Sequence, residues 1–269
     1  MEYEKLSDEQ KLFIRYGTAG HNILVEACIG SGKTTAIQAL CNAIRGKNIL
    51  YLTYNKLLKL DAKARIINGR TTVTNYHGFA WMELQRAGIR AGISELIQVY
   101  NESDLPVGNY DVLILDEYQD IDQEISEMLL HIREKRPNIQ IVAVGDMCQK
   151  IYDKTSLDVS TFITEFLGNY IPMEFTCCFR IGADHAAMLG RIWEKTIYGA
   201  NDNFQMDIVP EYQAQVIAAN TEPKDLLVLG ARGKGATKLQ NYLEKHHSKK
   251  FNKNTLWSKI TDTDGGATN

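Results

Sequence analysis

Short apolar runs alternate with helix-period stripes over the first two hundred residues. Ile23-Leu24-Val25, Ile49-Leu50-Tyr51-Leu52, Val112 to Leu115 and Ile141 to Val144 are each continuous rather than alternating. That pattern predicts strands covered on both faces. Between them lie apolar stripes of helical spacing: Ile37, Leu40, Cys41 and Ile44, then Ile125, Met128, Leu129 and Ile132. Residues at i, i+3, i+4 and i+7 share one helix face. Leu6 to Gly17 predicts an opening helix, with Ser7 as N-cap and Gln10 at N3 in a capping-box arrangement. A shorter strand is expected at Thr71 to Thr74. Another runs from Met173 to Cys178, entered through Pro172, before a helix from Ala183 to Tyr198 with Met188, Leu189, Ile192 and Trp193 inward. Buried strands alternating with helices predict an α/β fold with helices on both faces of the sheet.

The pattern changes near residue 200. Residues 1–200 read as one domain and 201–223 as a polar linker. Residues 224–260 read as the start of a second α/β unit, with a strand at Asp225 to Gly230, a helix around Leu239, Tyr242 and Leu243, and a strand at Thr255-Leu256-Trp257. About forty residues do not close a stable domain alone, so an incomplete second domain is expected. The tail 261–269, T-D-T-D-G-G-A-T-N, is expected to be disordered.

The first strand gives these elements their chemistry. It runs into Ala27-Cys28-Ile29-Gly30-Ser31-Gly32-Lys33-Thr34-Thr35, and a helix follows directly. Strand, glycine-bearing loop and helix N-terminus together make a phosphate-binding device, because backbone N–H groups and the helix dipole converge on an anion. Lys33 is placed to reach the β- and γ-phosphates of ATP, and the Thr34 hydroxyl to ligate Mg²⁺. Ala27 stands where the usual G-x-x-x-x-G-K-[ST] pattern has its first glycine. A second signal is D-V-L-I-L-D-E-Y-Q-D-I-D from Asp111 to Asp122. Its apolar run delivers Asp116 and Glu117 to the C-terminal end of a strand, where open α/β sheets bind ligands. There the first carboxylate can hold Mg²⁺ and the second can activate a water.

Composition narrows the setting. The chain has 269 residues, 44% hydrophobic and 23% charged, with a net charge of −3. No apolar run approaches the ~20 residues that span a bilayer. No basic-then-apolar leader opens the sequence, so the expectation is a cytoplasmic protein with no membrane partner. The five cysteines lack ligand spacing, and Cys177-Cys178 reads as two thiols in a buried strand. Negative net charge does not exclude nucleic acid, since a local groove can still be basic.

Several residues carry two readings. Gln10 is either a capping residue or a reader of the adenine edge. Tyr54, Asn55, His77 and Phe79, beside Lys56, Lys59, Lys63 and Arg65, are either core plus a solvated helix face or a single-stranded nucleic-acid track. Gln149, beyond the strand ending at Asp146, either senses the γ-phosphate or bonds a turn. Arg180 is either a surface charge or a neutraliser of charge developing on the γ-phosphate.

Taken in order, these motifs resemble the first RecA-like domain of superfamily 1 DNA helicases of the UvrD/Rep/PcrA type. L-S-D-E-Q resembles the Q motif, A-C-I-G-S-G-K-T the Walker A loop, and T-V-T-N-Y-H-G-F the Ib segment. D-E-Y-Q-D resembles motif II, V-G-D-M-C-Q-K-I-Y motif III, and C-C-F-R motif IV. The resemblance implies a parallel RecA-like sheet, ATP and Mg²⁺ as cofactors, and single-stranded DNA as partner. It implies that Gln10 contacts adenine and Phe179 stacks on it, while Gly30, Ser31, Gly32, Lys33, Thr34 and Thr35 cradle the phosphates. Asp116 would coordinate Mg²⁺, Glu117 activate water, Gln149 couple the γ-phosphate to DNA, and Arg180 act as the first arginine finger. Tyr54, Asn55, His77, Phe79 and Tyr152 would line the strand path.

The sequence also departs from that pattern. Tyr152 leads into Asp153-Lys154-Thr155-Ser156 where the family has an aromatic-Arg-Gly-Ala stretch. The interval from Ala80 to Leu115 leaves no room for an accessory domain. No motif V or VI follows Arg180, so a missing C-terminal half or another chain is expected to complete the motor. The alternative to a helicase is a nucleotide-dependent DNA-binding module or switch with little or no unwinding. A P-loop kinase is disfavoured, because D-E-Y-Q-D offers a water-activating glutamate and only Arg232 stands where lid arginines would cluster.

Overall fold

The structure is a computed structural model that describes residues 3–54, 56–150, 157–203, 207–229, 235–252, 260–261 and 267–268. Two compact units form, Met1–Gln205 and Met206–Asn269.

The first unit is a six-stranded parallel sheet of β1 (Ile23–Ala27), β2 (Ile49–Thr53), β3 (Thr71–Asn75), β4 (Val112–Asp116), β5 (Gln140–Gly145) and β6 (Ile171–Phe175). Spatial order is β3-β2-β4-β5-β1-β6, with every neighbouring pair parallel. This is the α/β architecture that the alternating pattern predicts. β2, β4 and β5 are buried at every position. Side chains alternate between sheet faces, and the two cores divide accordingly. Leu50, Leu52, Leu113, Leu115, Ile141 and Ala143 share one core with α4 (Tyr76–Arg86), α5 (Leu96–Glu102), α6 (Gln123–Lys135) and α7 (Val159–Leu167). Ile49, Tyr51, Val112, Ile114, Val142 and Val144 share the other with α1 (Asp8–Thr18) and α2 (Lys33–Ala43).

The stripes expected for α2 and α6 are buried as read. Beyond β6 the reading changes. The strand expected from Met173 to Cys178 is broken, with β6 ending at Phe175 and Cys177–Cys178 pairing with Tyr198–Gly199 in a separate two-stranded sheet. Pro172 lies within β6, on the sheet edge, where a missing N–H costs least. In α8 (Ala183–Trp193) Leu189 and Trp193 pack inward, but Ile192 is exposed because this helix covers only a small cluster around Cys28, Cys178 and Ile181.

In the second unit, α9 (Glu211–Asn220) occupies the stretch read as a linker. It packs through Ala218 against Leu243 of α10 (Gly235–His246) and against Phe251. The strand expected from Asp225 does not form among the described residues. Leu227 and Leu229 are exposed there, and among the described residues no strand lies beside them. Thr255-Leu256-Trp257 lies outside the described residues. Of the tail, Thr261 and Ala267–Thr268 fall in a two-residue antiparallel pair, and the remaining positions lie outside the described residues.

Candidate active site

The site gathers at the C-terminal ends of β1, β4 and β5. β1 hands the chain to a loop whose Gly30 and Gly32 both adopt positive φ, +67° and +76°, a conformation that glycine reaches without steric cost. Space is the second constraint. A Cβ on Gly30 would meet Arg180 Cγ and Cys178 Sγ at 2.9 Å, and one on Gly32 would meet Gln10 Nε2 at 2.7 Å. Cys178, Arg180 and Gln10 therefore flank the loop. Phe179 N–H donates to Gly30 O at 3.0 Å, and its half-exposed ring passes beside Gly32. Ser31 is buried, with its hydroxyl unpartnered. Lys33, Thr34 and Thr35 open α2 as read.

Lys33 Nζ lies 2.9 Å from Glu117 Oε2. Glu117 follows the buried Asp116 directly and takes a left-handed backbone (φ 57°, ψ 52°), which is uncommon without glycine and concentrates at functional sites. Asp116 is fully buried at the end of β4. Its Oδ2 accepts from the Tyr51 hydroxyl at 2.7 Å, while Oδ1 is buried without a partner. Burial, reinforced by the neighbouring Glu117 charge, pushes the Asp116 carboxyl up to about 7. Asp120 is raised to about 6 by burial and then by Glu117. A buried, under-coordinated carboxylate whose charge is disfavoured suits a divalent cation, which would supply the missing positive charge. The glycine loop, the orphaned Ser31 hydroxyl and the Asp116 oxygen thus fit a metal–nucleoside triphosphate.

The other expected residues divide. Gln10 is buried against the loop. Its Oε1 accepts from Ser7 N–H at 3.0 Å, closing the capping box, and its Nε2 donates to Ser31 O at 2.9 Å. Both ends of this amide brace cap and loop. Gln149 donates to Asp146 Oδ2 at 2.6 Å. His77 is exposed at the start of α4, and Tyr54 lies exposed just beyond β2. Phe79 is a correction. It is fully buried, edge-on to Tyr100 at 5.6 Å between ring centres, so it is a core residue and does not face a strand path. Asn55 and Tyr152 lie outside the described residues. Cys178 is buried and Cys177 half-buried, both as free thiols.

Sequence reasoning missed Tyr51, Glu26, Gln119 and Lys195. Tyr51 and Glu26 interrupt apolar strands, and a polar atom on such a strand needs a partner. That signal was available for both. Gln119 lies within D-E-Y-Q-D and donates to Glu117 Oε2 at 2.8 Å.

The family model for an AAA domain matches residues 10–155, more than half of the sequence, and the chain belongs to that family. The match runs from Gln10 past Gln149 and ends before Phe179 and Arg180. Comparison with curated proteins finds no match. Several solved structures are similar. A Pif1 helicase from Bacteroides, a double mutant, shares 14% identity over 90% of this chain and 57% of that one, at TM-score 0.48. The Pif1 helicase from Candida albicans shares 18% over 63% and 40%, at 0.39. Arterivirus nonstructural protein 10, a helicase, shares 16% over 72% and 47%, at 0.40. The chain spans about half the length of these structures. Among the described residues, no helix is long and apolar enough to cross a membrane.

Proposed function

We propose that this chain is the nucleotide-binding part of an ATP-dependent DNA helicase or translocase of superfamily 1. The observation that carries the reading is the Lys33–Glu117 pair at 2.9 Å beside the buried Asp116. It brings together Lys33, Glu117 and Asp116, the residues read as phosphate-binding cation, water-activating carboxylate and metal-binding carboxylate, which supports the reading. The motifs resemble the UvrD/Rep/PcrA branch, whereas the similar solved structures named above are Pif1 and arterivirus helicases, so the proposal is made for the superfamily.

Thr34 and Asp116 would hold Mg²⁺, which when bound neutralises phosphate oxygens and orients the triphosphate. Lys33 exchanges Glu117 for the β- and γ-phosphates. The freed Glu117 carboxylate, its backbone fixed in the left-handed turn, orients a water and takes its proton. Arg180, packed on Gly30, neutralises charge developing on the γ-phosphate. Phe179 stacks on adenine. Gln10 braces the loop from the first helix, and it reaches the adenine edge only through the second N–H of its amide. Gln149 stands between the γ-phosphate and the DNA side. Tyr54 and His77, exposed beyond β2 and β3, contact single-stranded DNA.

The test is ATP-dependent displacement of a labelled strand from a duplex with a single-stranded tail. Displacement that Lys33→Ala abolishes supports the motor. ATP-modulated DNA binding without displacement would overturn unwinding and favour a nucleotide-dependent DNA-binding module.

A further inference from the structure

Asp146, just beyond β5, is buried, and every atom it offers is used. Oδ1 accepts from Cys148 N–H and from Lys195 Nζ, both at 3.0 Å, and Oδ2 accepts from Gln149 at 2.6 Å. Its N–H donates to Gln119 Oε1 at 3.0 Å, and Gln119 in turn donates to Glu117. The next residue is gripped from the other side, where Glu26 Oε1 accepts from Met147 N–H at 3.0 Å. Lys195 also contacts Glu26 Oε1, and the Tyr118 hydroxyl donates to Glu26 Oε2. One ammonium therefore joins Glu26, which holds Met147 N–H, to Asp146, which holds Cys148 N–H and the Gln149 amide.

Lys195 comes from outside the six-stranded sheet, on the turn after α8. That turn is built around it. Glu194 takes a left-handed backbone (φ 52°), and Lys195 N–H donates to Gly190 O at 2.9 Å. A Cβ on Gly190 would meet Lys195 O at 2.7 Å. A non-glycine residue held at positive φ costs free energy, and it persists where the surroundings over-determine it. Burial opposes the Lys195 charge, but the bonds to Glu26 and Asp146 outweigh it and hold the ammonium above the usual lysine range.

We propose that Lys195 is a positioning residue that fixes Asp146, and through it Gln149 and the Gln119–Glu117 bond, in the geometry the hydrolytic site requires. Without its ammonium, Glu26 and Asp146 face each other as uncompensated carboxylates, and the second is buried. The Asp146–Gln149 turn then loses its anchor while the phosphate loop, held separately by Gln10 and motif IV, keeps its shape. The kinetic part of this inference rests on the ATP-hydrolysing reading, but the structural part does not.

Lys195→Met and Lys195→Arg in the full chain test it, by amide hydrogen exchange over residues 145–150 and by steady-state ATP hydrolysis. In the Met variant, exchange at Met147 and Cys148 should accelerate by at least roughly tenfold, while amides of α2 stay protected. Its kcat should fall by roughly 10- to 100-fold, with KM for ATP within about twofold of wild type. The Arg variant should restore most of both. Unchanged exchange in the Met variant would overturn the proposal, as would a loss confined to KM or one the Arg variant fails to rescue. If wild type shows no hydrolysis, the functional reading fails, and the exchange result alone decides whether Lys195 holds Asp146.

Discussion

Lys33 and Glu117 are ion-paired at 2.9 Å although the strands that lead to them, β1 and β4, are separated by β5. The lysine that should hold phosphate is held by the carboxylate that should activate water. On the proposed reading a triphosphate displaces Glu117 from Lys33, and the pair would then oppose nucleotide binding. Glu117→Gln removes that competition. It should bind ATP at least as tightly as wild type, by calorimetric titration, while turnover drops by about 10²- to 10⁴-fold. Weaker binding in this variant would contradict the competition.

Asp116 carries a stability penalty. Its carboxyl is raised to about 7, by burial first and Glu117 second, so the folded state prefers it protonated. The ionised form costs stability above that pH, and the cost is relieved as pH falls through 7 towards the ordinary aspartate range. Asp116→Asn should therefore melt higher than wild type at pH 8 in a chelator, with the gap narrowing at pH 5.5, and should lose Mg²⁺-dependent turnover. Equal melting temperatures at pH 8 would refute the penalty.

Phe179 and Arg180 touch the same loop but should fail differently. Phe179→Ala removes a stacking face and should weaken ATP affinity by roughly tenfold, leaving inorganic triphosphate binding unchanged. Arg180→Ala should leave affinity near wild type and lower kcat by about 10³-fold or more. Measuring KM and kcat for both variants separates the roles.

His77 and Phe79 are two residues apart in a segment read as a DNA path, and the structure separates them. Phe79→Ala should cost about 3–5 kcal/mol of stability, as for other buried aromatics. His77→Ala should leave the melting temperature unchanged and weaken single-stranded DNA binding in a fluorescence anisotropy titration.

That pair shows how far the sequence could be read. Local spacing is enough to find β1, β4, β5 and the α2 and α6 stripes, because a buried strand or amphipathic helix records its own environment. It also singles out Lys33, Asp116 and Glu117, which the structure brings together beside the ends of β1 and β4. It does not tell Phe79 from His77, since a half-turn difference on a short helix decides which faces Tyr100. Lys195 was beyond reach, as its partners Glu26 and Asp146 lie 169 and 49 residues away in sequence. The apolar run at Leu227–Leu229 misleads for a related reason, since an apolar stretch becomes a strand only when a partner strand receives it, and among the described residues none does.

Steady-state Mg²⁺-ATP hydrolysis, with and without single-stranded DNA and with Lys33→Ala as the blank, decides whether the Lys33–Glu117–Asp116 site is a DNA-stimulated ATPase. Wild type should turn over ATP, DNA should stimulate it, and the Lys33→Ala, Glu117→Gln and Asp116→Asn variants should each lose it. Turnover that survives in Glu117→Gln, or a wild type that binds ATP and DNA but never hydrolyses, would contradict that reading.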